Sequence, residues 1–365
     1  MSNTKISTLE AITLILTIVV SHCILSAPNE ILTTYRSASI LNLIYVGIIA
    51  TFIALLIFNL MKKFPGMDII DISEVVGGKI FKNIIGAIFI GYFVITSSFM
   101  LRNFCESIKI IYYPMTNITF LITFFILAIC IANSLGFSAT IKTNRIVLPF
   151  ALFSIVFLFL TNINNFQPQR VFPILGNGFS QTFILGITNL ASFGGIVYIY
   201  FLPPILKDPS KFKKIAVSSV ITTAIYLIFT VATLLFIFSF FLNITEISPL
   251  YNATRYIEFG TFFQRLESIF LLIWILVFAC YLSIAFKMSI HVFQKITFIS
   301  DSKPLIPIFG LLFFGIALLP KNFAISQYFE THIYKYLVLG IVFALSLTIL
   351  IIANTSKKIS IKSQQ

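Results

Sequence analysis

Long, unbroken apolar segments recur along the whole chain and constrain its fold more than any other feature. Hydrocarbon offers the backbone no water, so only helices and closed barrels span a bilayer. These segments do not alternate polar and apolar residues, which favours helices. The sequence therefore predicts an all-α polytopic membrane protein with about ten transmembrane helices; the short fourth and ninth segments leave nine or eleven open. The ten segments run at roughly 9–27, 40–61, 80–104, 118–134, 144–162, 181–204, 215–241, 266–290, 304–320 and 333–353.

The composition agrees with a membrane protein, since 58% of the 365 residues are hydrophobic and only 10% are charged. So few charges could not cover the surface of a soluble domain of this size. The net charge of +13 comes from Lys and Arg in short segments between the spans, where such residues orient a membrane protein. Their distribution predicts an integral membrane protein with both termini in the cytoplasm, and nothing in it suggests nucleic acid binding.

No pattern of residues indicates catalysis. The sequence lacks paired carboxylates in a candidate cavity, a Ser/His/Asp arrangement, a phosphate-binding loop and metal-ligand spacing. The four cysteines are scattered in or beside predicted spans, and we interpret them as small apolar residues. The prediction is a protein that is not an enzyme and that uses no metal and no cofactor.

Three connections between spans have patterns of their own. The stretch 68–78 is short, acidic and amphipathic, and we expect it to lie along the inner membrane surface. The stretch 164–181 is punctuated by Pro and Gly and predicts an outer loop that leads into the sixth span. The stretch 244–267 is too long for a simple turn and predicts an amphipathic outer helix.

The first and sixth spans are both interrupted. In the first span Ser21 and His22 break an aliphatic run. In the sixth span the pair Gly194-Gly195 weakens the helix by about 1 kcal/mol per glycine, and Pro203-Pro204 ends it. Close helix packing explains the glycine pair about as well as a cavity does. The matching interruption in the first span favours the cavity, because broken backbone at this depth must line one.

The two interrupted spans hold equivalent places in two halves of five spans. The sequence predicts one membrane domain over 1–365, with a first repeat at about 9–162 and a second at about 181–353. Free N–H and C=O groups at the two breaks would face a ligand between the halves. The predicted ligand-binding residues are those at the two breaks: Ser21, His22, Cys23, Ile24, Ser192, Phe193, Gly194 and Gly195.

Several stretches of the chain resemble the spore germination permease family, the B subunits of Ger-type germinant receptors within the amino acid–polyamine–organocation superfamily. A similar Arg, Gly, Arg-Leu-Glu and Trp pattern in 254–275 is the most specific. In two places the chain differs from the family pattern: 21–23 holds no glycine, and Ile196 or Val197 stands where a Glu is common. The stretches are "ILSAP" (24–28), "FPGMDIIDISEVVGGKIFKNIIG" (64–86), "LRNFCESIKIIYYPMTNI" (101–118), "FPILGNGF" (172–179), "SFGGIVYIYFLPPILKDPSKFKK" (192–214) and "TRYIEFGTFFQRLESIFLLIWI" (254–275).

The resemblance implies a five-plus-five inverted repeat like that of LeuT-type transporters. It also implies a receptor of the spore inner membrane that contains a larger A subunit and a lipoprotein C subunit. In such a receptor the B subunit senses a small nutrient, often an amino acid.

Individual polar residues admit more than one interpretation. His22 is the histidine well inside a span, where a polar group normally faces protein or water, and a ligand or proton contact is slightly favoured over a bond to a neighbouring helix. Arg102 and Glu106 are four residues apart and are better explained as a local ion pair than as ligand contacts. The charges in 255–267 are predicted to form a lid or docking network or a solvated face.

Three functions remain open from the sequence. The first is a sensor, in which a bound nutrient changes the relation of the two halves and the change reaches partner subunits. The second is a secondary amino-acid transporter coupled to protons or sodium, and fold alone does not separate the two. The third and weakest is a conduit for ions or water.

Overall fold

In the computed structural model the chain is a bundle of helices, described for residues 5–24, 27–238, 249–255, 257 and 266–355. Seven helical runs in this part are long and apolar enough to cross a membrane, and three shorter apolar helices accompany them. The predicted count of about ten is confirmed. The spans are Thr8–Ile24 with Ala27–Tyr35, then Ser39–Met61, Ile69–Tyr112, Ile118–Ser134, Phe137–Thr161, Ser180–Phe201, Phe212–Ile237, Leu266–Thr297, Leu305–Leu318 and Phe323–Thr355.

The first span is described as two helices, Thr8–Ile24 and Ala27–Tyr35. Ser7 and Glu10 hydrogen-bond reciprocally at the start of the first, where the Ser7 N–H donates to Glu10 Oε2 at 2.7 Å. Residues 13–24 are all buried, so the first helix runs through the centre of the bundle. Arg36, with φ 52°, turns the chain after the second helix into the second span. Ser21 and His22, where the sequence predicts the interruption, are helical, and residues 25 and 26 lie outside the described part of the chain.

The sixth span is distorted along its length. It begins as a π-helix at Ser180–Ile184 and continues as a 3₁₀ helix over Leu185–Phe201. Phe193, with φ −93° and ψ 25°, departs from helical geometry immediately before the glycine pair. The helix ends at Phe201, and the predicted stop at Pro203-Pro204 is confirmed by a separate short turn, Pro203–Ile205.

The predicted surface segment 68–78 forms a short helix in front of the third span. Asp68 and Asp71 make a capping box at its start, and Gly78, with φ 75°, bends the chain before the long apolar helix. Burial would raise the pKa of the Asp68 carboxyl, but a hydrogen bond from His291 and the charges of Lys295 and His291 hold that pKa well below its usual value. The Lys295 ammonium lies 2.6 Å from Asp68, which ties this segment to the end of the eighth span.

The other two predicted connections are only partly described. The stretch 164–181 holds the short turns Ile163–Asn165 and Pro168–Val171 and packs onto the turn after the first span, where the Ser37 hydroxyl donates to the Pro173 carbonyl at 2.6 Å. Within 244–267 a short helix, Pro249–Arg255, is present, as predicted. The expected charge network there also involves Glu258 and Arg265, which lie outside the described residues.

The residue before the first span and the residue after the sixth span meet at one side of the bundle. Ile6 and Leu206 form a bridge, in which the Ile6 N–H donates to the Ile205 carbonyl at 2.8 Å and the Lys207 N–H donates to the Ile6 carbonyl at 3.0 Å. We call this the terminal side. The side that holds the loop 162–178 is called the loop side.

Candidate functional site

A cavity of about 250 Å³ lies between the first, sixth and tenth spans. Its volume exceeds that of a few water molecules and suits a small solute. The wall is partly apolar, with Ile18, Val19 and Leu227, and partly polar, with side chains from all three spans. The two helices of the first span both contribute, since His22 and Cys23 come from one and Glu30 from the other.

Five of the eight predicted residues line this cavity: His22, Cys23, Ser192, Gly194 and Gly195. Their two spans meet here, as the sequence predicts for a site between the halves. Whether they bind a ligand remains a prediction.

The other three predicted residues lie nearby but outside the wall. The Ser21 hydroxyl is fully buried and donates to the Thr17 carbonyl at 2.8 Å. Ile24 lines a separate small void of about 20 Å³. Phe193 is buried, with its ring toward Gly47 of the second span.

The glycine pair has two structural roles. A Cβ on Gly195 would lie 2.5 Å from the Ile15 carbonyl oxygen and 2.7 Å from the Ile18 side chain. A Cβ on Gly194 would lie 2.6 Å from the Tyr334 hydroxyl of the tenth span. Both interpretations of the glycine pair are therefore correct, because the absence of side chains lets three helices pack closely around the void.

A ladder of amides supports the distorted sixth span. The Asn42 side-chain amide of the second span donates to the Thr182 and Gly186 carbonyls at 2.8 and 3.1 Å. The Asn189 amide donates to Asn42 Oδ1 at 2.6 Å, and the Ser192 hydroxyl donates to Asn189 Oδ1 at 2.6 Å. The amides therefore donate to carbonyls of the distorted span and place polar groups beside the cavity.

A buried carboxylate faces His22 across the cavity. Glu330, only 6% exposed, accepts a hydrogen bond from the Asn103 amide, and its Oε1 lies 3.6 Å from His22 Nδ1. The imidazole of His22 stacks on Tyr334 at 4.4 Å between ring centroids. These contacts fix the imidazole against the tenth span and join the two predicted halves across the void.

A second pair of charges lies at the loop side of the cavity. Lys335 Nζ is 3.7 Å from Glu30 Oε1, and both side chains are about 30% exposed, at 27% and 30%. The pair connects the second helix of the first span to the tenth span. Partial exposure to water limits such a pair to about 0.2–1 kcal/mol.

The sequence did not single out the wall from the tenth span. We predicted that span from residue 333, but the helix begins at Phe323, where the Asn322 side chain accepts a hydrogen bond from the Ile325 N–H at 3.0 Å. Asn before an apolar run is a recognisable helix start, so this signal could have placed Glu330 inside a span. The π-helical turn Phe329–Ile333, which carries Glu330, has no comparable sequence signal.

Arg102 and Glu106 form the predicted local ion pair. The Arg102 Nε donates to Glu106 Oε1 at 2.9 Å within the third span, and the guanidinium also reaches the Ala317 carbonyl at 3.5 Å. Neither residue lines the cavity, which supports the structural interpretation.

The fold and the cavity define a membrane permease with a transporter architecture. Among solved structures the chain is similar to Mhp1, a nucleobase-cation-symport-1 family transporter, in a closed conformation with bromovinylhydantoin bound. The TM-score is 0.63 and the identity 12%, with 95% of this chain and 78% of that chain covered. The likeness confirms the predicted LeuT-like architecture, and nothing about the ligand follows from it.

The chain belongs to the spore germination permease family. The family model described as "Spore germination protein" matches residues 5–326. Spore germination protein YndE of Bacillus subtilis (strain 168) is 24% identical over 326 residues, which is 87% of this chain and 88% of that protein. Spore germination protein B2 of the same strain is 22% identical over 226 residues, 62% of this chain and 61% of that protein. The predicted resemblance is thereby confirmed.

Proposed function

We propose that this chain is the integral-membrane B subunit of a spore germinant receptor, and that it binds a small nutrient, such as an amino acid, in the cavity between the first, sixth and tenth spans. The single observation that carries the proposal is a solute-sized void at the junction of the two interrupted spans, in a chain of the spore germination family. Because the cavity wall has polar and apolar parts, it suits a small molecule that has both kinds of surface.

The binding residues in this proposal are the five that line the void and the three beside it. His22, Cys23 and Ser192 offer side chains, while Gly194 and Gly195 let the spans approach. Ser21, Ile24 and Phe193 act from behind the wall by holding the two interruptions in place. Glu330 and Asn189, which the sequence did not single out, are added to this set.

Signalling requires that the nutrient bind one arrangement of the helices more tightly than another, because a ligand shifts an equilibrium only by its differential affinity. We propose that the repeats at about 9–162 and 181–353, which together make one membrane domain, move relative to each other when the cavity fills. Partner subunits would sense that movement. The expected partners are the receptor A subunit and the C lipoprotein, together with the lipid bilayer.

The proposed location is the spore inner membrane, with both termini and the terminal side toward the cytoplasm. Lys and Arg of the connections at this side support that orientation, among them Lys5, Lys62, Lys207 and Lys211. The loop side would then face outward, where germinants arrive.

A secondary amino-acid transporter is the alternative, and similarity to the fold of a symporter favours it. Deletion of the gene in its spore-forming host, followed by germination assays with amino acids, sugars and nucleosides, separates the two. A receptor subunit predicts the loss of the response to at least one nutrient. Unchanged germination with every nutrient, together with uptake by the purified protein in vesicles, would contradict the receptor and support the transporter.

A further inference from the structure

Among the charged groups that the structure describes around the cavity, the Glu330 carboxylate has no lysine or arginine partner, and its only ion-pair contact is with His22. Glu30 and Lys335 are 3.7 Å apart and offset each other. Glu330 Oε2 accepts a hydrogen bond from the Asn103 amide, whereas the buried Oε1 accepts none from any residue that the structure describes. The His22 imidazole forms an ion pair with that oxygen only when it is protonated, and its Nδ1, at 3.6 Å, is beyond hydrogen-bond distance. Its Nε2 has no hydrogen-bond partner in the described part of the chain. A buried carboxylate oxygen in this state is costly unless a donor reaches it.

The amides of Asn42 and Asn189 make the sixth-span wall of the cavity a hydrogen-bond acceptor as well. A backbone carbonyl can only accept, so the two bonds to Thr182 and Gly186 fix the NH₂ group of Asn42 and turn its oxygen toward Asn189. Asn189 must then donate to Asn42, and its own oxygen receives the Ser192 hydroxyl hydrogen. The proton of Ser192 is committed to the ladder, so the hydroxyl offers the cavity only lone pairs.

The two acceptors stand on neighbouring walls. Ser192 is two residues before Gly194, and Gly194 lies against the hydroxyl of Tyr334, four residues after Glu330. The sixth and tenth spans therefore touch beside the pair of acceptors, with apolar side chains such as Ile18, Val19 and Leu227 on the remaining wall.

We propose that Glu330 and Ser192 receive the ammonium group of the ligand, so that the cavity selects a small aliphatic compound with a primary amine. An ammonium group carries three N–H donors and a positive charge, which satisfies the free carboxylate oxygen and the hydroxyl lone pairs together. The inference rests on the proposed function and deepens it.

The wild-type protein, purified in nanodiscs, provides the first test without any substitution. The probes are L-amino acids with aliphatic side chains, each paired with the α-hydroxy acid of the same carbon skeleton, and binding is measured by calorimetry. At least one amino acid is expected to bind about 10- to 100-fold more tightly than its hydroxy acid, which is the range for hydrogen bonds to a charged group. Equal binding within every pair, or no binding by any amine, would overturn the proposal.

Variants locate the contact. Glu330→Gln keeps the shape and the Asn103 bond but removes the charge, and is expected to weaken amine binding about 10-fold or more. Ser192→Ala should weaken it less. Glu10→Gln is the matched control, because Glu10 caps the first span outside the cavity, and it should bind amines as the wild type does. Amine binding unchanged by Glu330→Gln would overturn the proposal. So would the finding that sodium ions bind at the same site and block amine binding.

The outcome is separable from the fate of the proposed function. Amine binding that depends on Glu330, in a protein whose deletion leaves germination intact, would support the ammonium site and refute the receptor. Loss of germination on deletion, with a normal response in Glu330→Gln spores, would support the receptor and refute the ammonium site.

Discussion

The first and sixth spans meet in two very different ways at the two ends of their interface. Toward the terminal side their backbones touch, with Gly195 against the Ile15 carbonyl and Ile6 in a single bridge with Leu206. Toward the loop side they diverge around a cavity whose wall carries His22 and Ser192. The same pair of helices thus forms both a seal and a site.

The comparison shows that the close contact gives way to the cavity at the glycine pair, where the sixth span is interrupted. Gly195 belongs to both regions, since it lines the cavity and also makes the closest helix contact. Backbone contact at Gly195 leaves no room for water or solute. On the loop side of Phe193 the distorted helix carries Asn189 and Ser192, whose polar groups a solute can use. The cavity therefore lies on the loop side of the close contact at Gly195.

The largest effect is expected from filling the point where seal and site meet. Gly195→Leu places a side chain against the Ile15 backbone, which cannot yield as a flexible side chain would, at a cost of about 1–3 kcal/mol or more. Spores with this variant should lose the nutrient response while the protein remains in the membrane, as judged by germination and immunoblotting. Gly194→Leu should also weaken the nutrient response, but less, because its side chain meets the movable hydroxyl of Tyr334 and not backbone.

The matched control is Gly91→Leu in the third span, where a Cβ meets no atom within 4 Å. This variant should respond as the wild type does. A normal response in Gly195→Leu spores would mean that the close approach of the two spans is not needed.

An intermediate effect is expected from opening the seal. Ile6→Pro removes the N–H that donates to the Ile205 carbonyl at 2.8 Å, a loss of about 0.5–1.5 kcal/mol plus the cost of leaving that carbonyl unpaired. The thermal unfolding temperature of the purified protein should fall measurably. Lys5→Gln, which removes only the exposed bond from Lys5 Nζ to the Pro204 carbonyl, should change it much less. Equal unfolding temperatures for both variants would show that the bridge does not hold the seal.

The smallest effect is expected at the loop side of the site. Lys335→Gln breaks the pair with Glu30, which is worth about 0.2–1 kcal/mol because both groups are partly exposed. The nutrient concentration for half-maximal germination should change by less than about fivefold. Lys211→Gln, which breaks an exposed pair with Asp208 at the opposite side, should leave it unchanged. A complete loss of response in Lys335→Gln spores would give this pair a far larger role in the site.

The fold was largely predictable because a bilayer accepts so few structures. Apolar length alone gave the ten spans, and Gly194-Gly195 with Pro203-Pro204 marked the region where the sixth span is irregular and ends. The first span was less well predicted, because Ser21 and His22, where the interruption was expected, are helical. Polar residues inside an apolar run indicate a special environment, but they do not fix where hydrogen bonding changes.

The candidate site was predictable only on the walls from the first and sixth spans. Glu330 was missed because hydropathy placed the start of the tenth span after it, although the cap at Asn322 marks the true start. Asn42 was missed because an amide in the second span has no local sequence pattern that points to carbonyls 140 residues away. Long-range hydrogen bonds of this kind depend on packing and cannot be deduced from periodicity.

Protection of the cavity by a nutrient tests the central claim most directly. In a background with Cys105, Cys130 and Cys280 replaced by alanine and the buried Cys23 of the cavity wall retained, Thr188→Cys places an additional thiol on that wall, and Ser134→Cys places one at the exposed end of the fourth span. The rate of modification by a small thiol reagent is measured with and without the amino acid that binds most tightly. A bound ligand should slow modification at position 188 severalfold and leave position 134 unaffected. Equal rates at position 188 with and without a saturating nutrient would contradict binding in this cavity.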